Sequence, residues 1–139
     1  MDSKLKEGEA FFADGNVEEA EKYFLSVIEN DHCNKEAYNN LGVIAFQKGN
    51  KVDAIGYFTR SLEIDPFYKD AIINYTDLLK ALNHFHIAIP FLKKIAEIHP
   101  EDEEILQLLR DLPDDFGKGV VPVSTNKDES APLNFKNMI

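Results

Sequence analysis

The sequence predicts an all-α fold, a solenoid of stacked antiparallel helix pairs, on three observations. First, residues 35–68, KEAYNNLGVIAFQKGNKVDAIGYFTRSLEIDPFY, read as two amphipathic helices joined by a tight turn at Lys48-Gly49-Asn50-Lys51 and closed by Asp65-Pro66. Second, a shift of 34 residues in either direction returns the same chemistry. Upstream lie Gly8, Phe11, Gly15-Asn16, Ala20 and Phe24; downstream lie Ile72, Tyr75, Leu79, Ala88, Leu92 and Pro100. Third, small residues stand where two backbones must come close, Gly42 on the first helix and Ala54 on the second, with Phe58 to fill the space beside them. Recurrence at a fixed spacing of this length is the signature of a helical repeat array.

The elements follow in order. Repeat one covers residues 1–34, with a first helix from about Ser3 to the turn glycine Gly15, and a second over Val17–Asn30 capped by Asn16. Lys4 and Glu7 stand where later repeats carry Tyr38/Ile72 and Leu41/Tyr75. Polar residues suit the open outer face of a terminal repeat. Repeat two, residues 35–68, is the regular one. Repeat three, residues 69–102, has Thr76 in place of the first-helix glycine and Asn83 in place of the turn glycine; asparagine tolerates the left-handed conformation next best. Pro90 falls within its second helix and is expected to kink that helix or delay its start. A capping helix is expected over 103–112, with Ile105, Leu106, Leu108, Leu109 and Leu112 at helical spacing, ended by Pro113. Residues 113–139 carry three prolines and no helical period, and read as a flexible tail whose VVPVS and PLNF segments suit an extended path along a surface.

Composition narrows the function classes. A hydrophobic share of 44% is enough for a core, which excludes wholesale disorder. The single cysteine, Cys33, cannot form an internal disulfide and fits a reducing compartment. The charged start MDSKLKEGEA is no secretory signal, and no run of apolar residues reaches membrane-spanning length, so the expected location is cytoplasmic. The net charge is −10, with nine acids against three bases in residues 1–34 and no net-basic repeat anywhere. Binding to phosphates or anionic lipid needs a basic stripe, so neither nucleic acid nor membrane is an expected partner.

With Tyr38, Leu41, Gly42, Ala45, Ala54, Phe58 and Pro66 marking one repeat and their counterparts marking two more, residues 1–112 resemble the tetratricopeptide repeat family. The resemblance implies a right-handed superhelix whose first helices line a concave groove. It also implies protein–protein binding rather than catalysis, and no cofactor. The groove would receive Glu9 and Phe12 from repeat one, Asn39, Asn40, Val43 and Phe46 from repeat two, and Ile73, Asn74, Asp77 and Lys80 from repeat three. Asn40 and Asn74 sit one repeat apart, resembling the asparagine ladder with which some members hold a peptide backbone. An amide side chain has both the donor and the acceptor that a peptide unit needs. The basic clamp used by members that capture chaperone C-termini is missing: its places hold Leu5, Glu9, Asn40, Asp70 and Asn74. Glu9 and Asp70 would repel a carboxylate, so the expected ligand is a neutral to basic peptide or protein segment. Two other readings accompany this one. The chain could self-associate as a homo-oligomeric scaffold, or serve as an accessory module recruiting a separate transferase-type enzyme.

No catalytic or metal constellation is evident. Asp115-Phe116-Gly117 matches a kinase tripeptide without the glycine-rich or catalytic loops that give it meaning. His84 and His86, two apart at a helix start, are expected to diverge. Cys33 has no histidine–acid partner in an evident motif.

Overall fold

The computed structural model describes residues 3–111. Its elements are α1 (Ser3–Ala13), α2 (Val17–Asn30), α3 (Lys35–Gln47), α4 (Lys51–Ile64) and α5 (Lys69–Ala81), a 3-10 turn (Phe85–Ala88) running into α6 (Ile89–Ile98), and α7 (Glu103–Arg110). No strand occurs among the described residues. Each first helix packs on the second helix of its own pair, α2 also packs on α3 and α4 on α5, and α7 packs on α6. The result is an α-solenoid of helix hairpins.

The turns within the hairpins repeat to the hydrogen bond. Gly15 and Gly49 have φ of +85° and +84°, and Asn83 has φ of +65°. In each case the next residue donates its N–H back into the preceding helix: Asn16 to Phe11, Asn50 to Ala45 and His84 to Leu79, at 2.8, 2.8 and 2.7 Å. This is the helix-ending arrangement that needs a left-handed residue to satisfy the last carbonyls. Asn16 precedes α2 as expected, but its side chain makes no capping bond. With the chain re-entering a helix directly from the left-handed turn, that helix start is set by backbone bonds such as Ala20 N–H to Asn16 C=O. Side-chain caps appear instead at the openings between hairpins, where Asn34 accepts from the Ala37 N–H and Asp102 from those of Glu104 and Ile105.

Helix-to-helix contact explains the small residues. A Cβ placed on Gly8 would lie 2.7 Å from the Phe24 ring, and one on Gly42 would lie 2.5 Å from the Phe58 ring. Both rings are fully buried, as are Ala20, Ala54 and Ala88 on the facing helices. At the third pair Thr76 replaces the glycine and Leu92 stands where the phenylalanine would be; both are fully buried. Thr76 satisfies its hydroxyl within its own helix by donating to the Ile72 carbonyl at 2.7 Å.

Pro90 delays the second helix of the third pair. The chain makes the 3-10 turn first, and α6 then opens at Ile89 with Pro90 in its first turn, where a missing N–H leaves no helical bond unmade. The capping helix ends at Arg110; Leu112 and the segment 113–139 lie outside the described residues. Lysines at the start of first helices reach forward to the next inter-hairpin loop. Lys35 pairs with Asp65, and Lys69 pairs with Asp102 at 2.8 Å and Glu104 at 3.2 Å.

Candidate binding groove

The second helices cover one side of the first helices, and the opposite side carries the candidate site. On α3, residues 36, 39, 40, 43 and 46 recur at three- and four-residue steps and so share one stripe; the same holds for 70, 73, 74, 77 and 80 on α5. Side-chain hydrogen bonds tie these stripes together. Asn74 Nδ2 donates to Asn39 Oδ1 at 3.0 Å, joining α5 to α3. Asn40 Nδ2 donates to Glu9 Oε2 at 3.4 Å, joining α3 to α1.

The sequence-selected residues therefore fall into distinct layers. Glu9, Asp77 and Lys80 are exposed, and Asn40 and Asn74 are half-buried. Phe12 is half-buried against the cluster of Ala20, Phe24, Leu41 and Ile44, while Val43, Phe46 and Ile73 are half-buried against the larger core. Asn39 is different: only 5% exposed, it lies beneath the surface and accepts from Asn74. Asn40 and Asn74 do not act alike either, one reaching to a carboxylate of the preceding first helix and the other to a buried amide. Each keeps a second N–H and its carbonyl oxygen for other contacts. Lys80 lies at the far end, its ammonium 5.3 Å from the Phe85 ring centroid.

One group in this region carried no sequence signal. Tyr68, just before α5, is half-buried, with the Lys35 ammonium 4.8 Å from its ring centroid. Burial pushes its hydroxyl well above the ordinary phenol range, and the carboxylates of Asp70, Glu36, Glu9 and Asp65 push it further. Four acids from different turns of the chain thus bear on one hydroxyl. Asp65 itself is held below the ordinary carboxylate range by the Lys35 ammonium.

Elsewhere, the His84 and His86 rings meet edge to face with centroids 5.9 Å apart rather than diverging, His84 standing just before the 3-10 turn and His86 within it. No group of three potential metal ligands occurs among the described residues. An open depression of about 560 Å³ borders α2 on the second-helix side, edged by Lys22, Leu25, Ile28, His32 and Tyr38. Among the described residues, no helix is long and apolar enough to cross a membrane.

Helix hairpins in register, with a tied row of first helices on one side, define an α-solenoid of the kind that presents a protein-binding surface. Residues 5–69, a little under half of the chain, match the model of the tetratricopeptide repeat family. Two solved structures share the fold. The N-terminal domain of stress-induced protein-1 from C. elegans superposes with a TM-score of 0.64 at 17% identity, over 79% of this chain and 91% of that one. MamA superposes with a TM-score of 0.67 at 21% identity, over 97% of this chain and 74% of that one. In sequence, the protein O-mannosyl-transferase Tmtc3 of Drosophila melanogaster is 31% identical over 86 residues, which is 62% of this chain and 9% of that relative. Tetratricopeptide repeats generally serve as protein–protein interaction modules, and the family is typically non-catalytic.

Proposed function

We propose that this chain is a non-catalytic binding module that holds a protein or peptide segment along the concave side of α1, α3 and α5. The observation that carries this reading is the tied stripe itself. Asn40 links α3 to α1 and Asn74 links α5 to α3, while Phe12, Val43, Phe46 and Ile73 stay half-buried and available for further apolar burial. Glu9, Asn39, Asp77 and Lys80 complete the surface and its support. The unit responsible is residues 1–112, as repeats 1–34, 35–68 and 69–102 with the capping helix 103–112; segment 113–139 lies outside the described residues. The excess of acids favours a neutral to basic partner over the carboxylate end of a chaperone. The single exposed Cys33 suits a reducing, cytoplasmic setting.

The test is a comparison of proteins co-purified by the native chain, by Asn40→Arg and by Val52→Arg. Asn40→Arg places a long side chain in the middle of the groove, whereas Val52, 48% exposed on α4, serves as the control on the second-helix side. A partner lost with Asn40→Arg and kept with Val52→Arg is expected, both variants retaining native helicity. A partner lost only with Val52→Arg would refute the groove.

The match to an O-mannosyl-transferase favours a second reading, in which the partner of the module is a transferase. Identification of the groove-dependent partner by mass spectrometry decides between a transferase and any other protein.

A further inference from the structure

We infer that the segment bound in this groove carries a lysine or arginine, seated by the first turns of α3 and α5, and beside it an apolar side chain lying over Val43, Phe46 and Ile73. The inference rests on the reading of the concave face as the binding surface and adds the chemistry of its occupant.

Among the described residues, the charged residues on the inner stripes are Lys6, Glu9, Glu36, Asp70, Asp77 and Lys80, four carboxylates against two lysines. They are unevenly placed. Lys80 lies at the C-terminal end of α5, by Phe85, and Lys6 stands one turn before Glu9 on α1, whereas Glu36 and Asp70 sit in the first turns of α3 and α5. Neither Glu9, Glu36 nor Asp70 takes part in an ion pair among the described residues. Lys35, the cation next to them in the chain, is already paired with Asp65 and lies against the Tyr68 ring. Burial first, and then the fields of Asp70, Glu36 and Glu9, raise the Tyr68 hydroxyl above the ordinary phenol range.

A helix-terminal reading explains only part of this. Acids in a first turn are favoured by the helix dipole, which accounts for Glu36 and Asp70. Glu9 stands in the middle of α1 and gains nothing from that dipole, yet it joins the same corner through its bond from Asn40. The complement of an apolar floor with three unpaired carboxylates at one end is a cationic side chain close to an apolar anchor. Glu36 and Val43 are separated by about 10 Å of helix, a distance that roughly three residues of extended chain cover. The ligand should therefore pair a lysine or arginine with a large apolar residue about three positions away.

The experiment uses the full chain and short random-sequence peptides displayed on phage. Peptides are selected on the native chain, sorted by loss of binding to Asn40→Arg, and measured against Glu36→Gln, Asp70→Asn and the double variant. Both substitutions are conservative changes outside the core, and circular dichroism checks that each variant folds. The expected groove-dependent peptides are enriched in the basic–apolar pair. The double variant weakens them about tenfold and flattens their salt dependence. Groove-dependent peptides without that enrichment, or indifferent to both neutralisations, would overturn the inference and leave the groove standing. Peptides that bind Asn40→Arg as well as the native chain would overturn the groove itself, and the inference with it.

Discussion

In the second hairpin Gly42 leaves the Phe58 ring the space a Cβ would take, and the second helix, α4, is unbroken. The third hairpin puts Thr76 and Leu92 at the same two positions and breaks its second helix into a 3-10 turn and α6. Residue for residue these are different solutions, yet both leave the interior positions fully buried. A larger residue on the first helix, Thr76 for Gly42, is matched by a smaller one on the second, Leu92 for Phe58, so what recurs every 34 residues is a volume shared between two positions rather than either identity.

The largest test of this comparison is Phe58→Ala, which empties the larger of the two fillers. It should lower unfolding free energy by about 3–5 kcal/mol in urea titrations. Transplanting the third hairpin's solution in halves should follow. Gly42→Thr alone drives a side chain into the Phe58 ring and should cost about 1–3 kcal/mol. Combined with Phe58→Leu it should cost less than the two single changes together by at least about 0.5 kcal/mol. Strict additivity in that cycle would mean the two positions do not share a volume.

The turns differ by less. Gly49→Ala forces a Cβ into a left-handed residue and should cost about 1–2 kcal/mol. Asn83→Gly should be neutral or gain up to about 1 kcal/mol, because asparagine already tolerates that conformation at some strain. The thermal midpoints of the two variants should move in opposite directions or the second not at all.

The smallest effect is electrostatic. The Lys35 ammonium lowers the Asp65 carboxyl and the Lys69 ammonium lowers that of Asp102. A carboxylate whose pKa is lower in the folded state stabilises the fold above its unfolded pKa, and that contribution disappears as pH falls through the folded value. Melting temperature should therefore drop on acidification below the ordinary aspartate range, and less steeply in Asp65→Asn. Asparagine can still accept the Phe67 N–H that Asp65 accepts at 3.0 Å, so the loop itself should survive.

Much of this architecture was readable in advance because it depends on residues close in the chain. Gly15, Gly49 and Asn83 announce their turns, and Val17–Asn30 has the bounds its pattern predicts. Pro90 announced a disturbance without saying which, since a kink accommodates the lost N–H bond whereas a late start avoids the loss. The groove was less readable. Asn39 looks like Asn40 along its helix, and only the arrival of α5 buries it under Asn74. The Tyr68 corner draws on Glu9, Glu36 and Asp70, which no local window contains.

The division of labour between the two sides of the array can be measured directly by mapping backbone amide chemical-shift changes when a co-purified partner is bound. Perturbations should run along α1, α3 and α5 through Glu9, Asn40, Val43, Asn74 and Asp77. A map confined to the outer faces of α2, α4 and α6 would contradict the account.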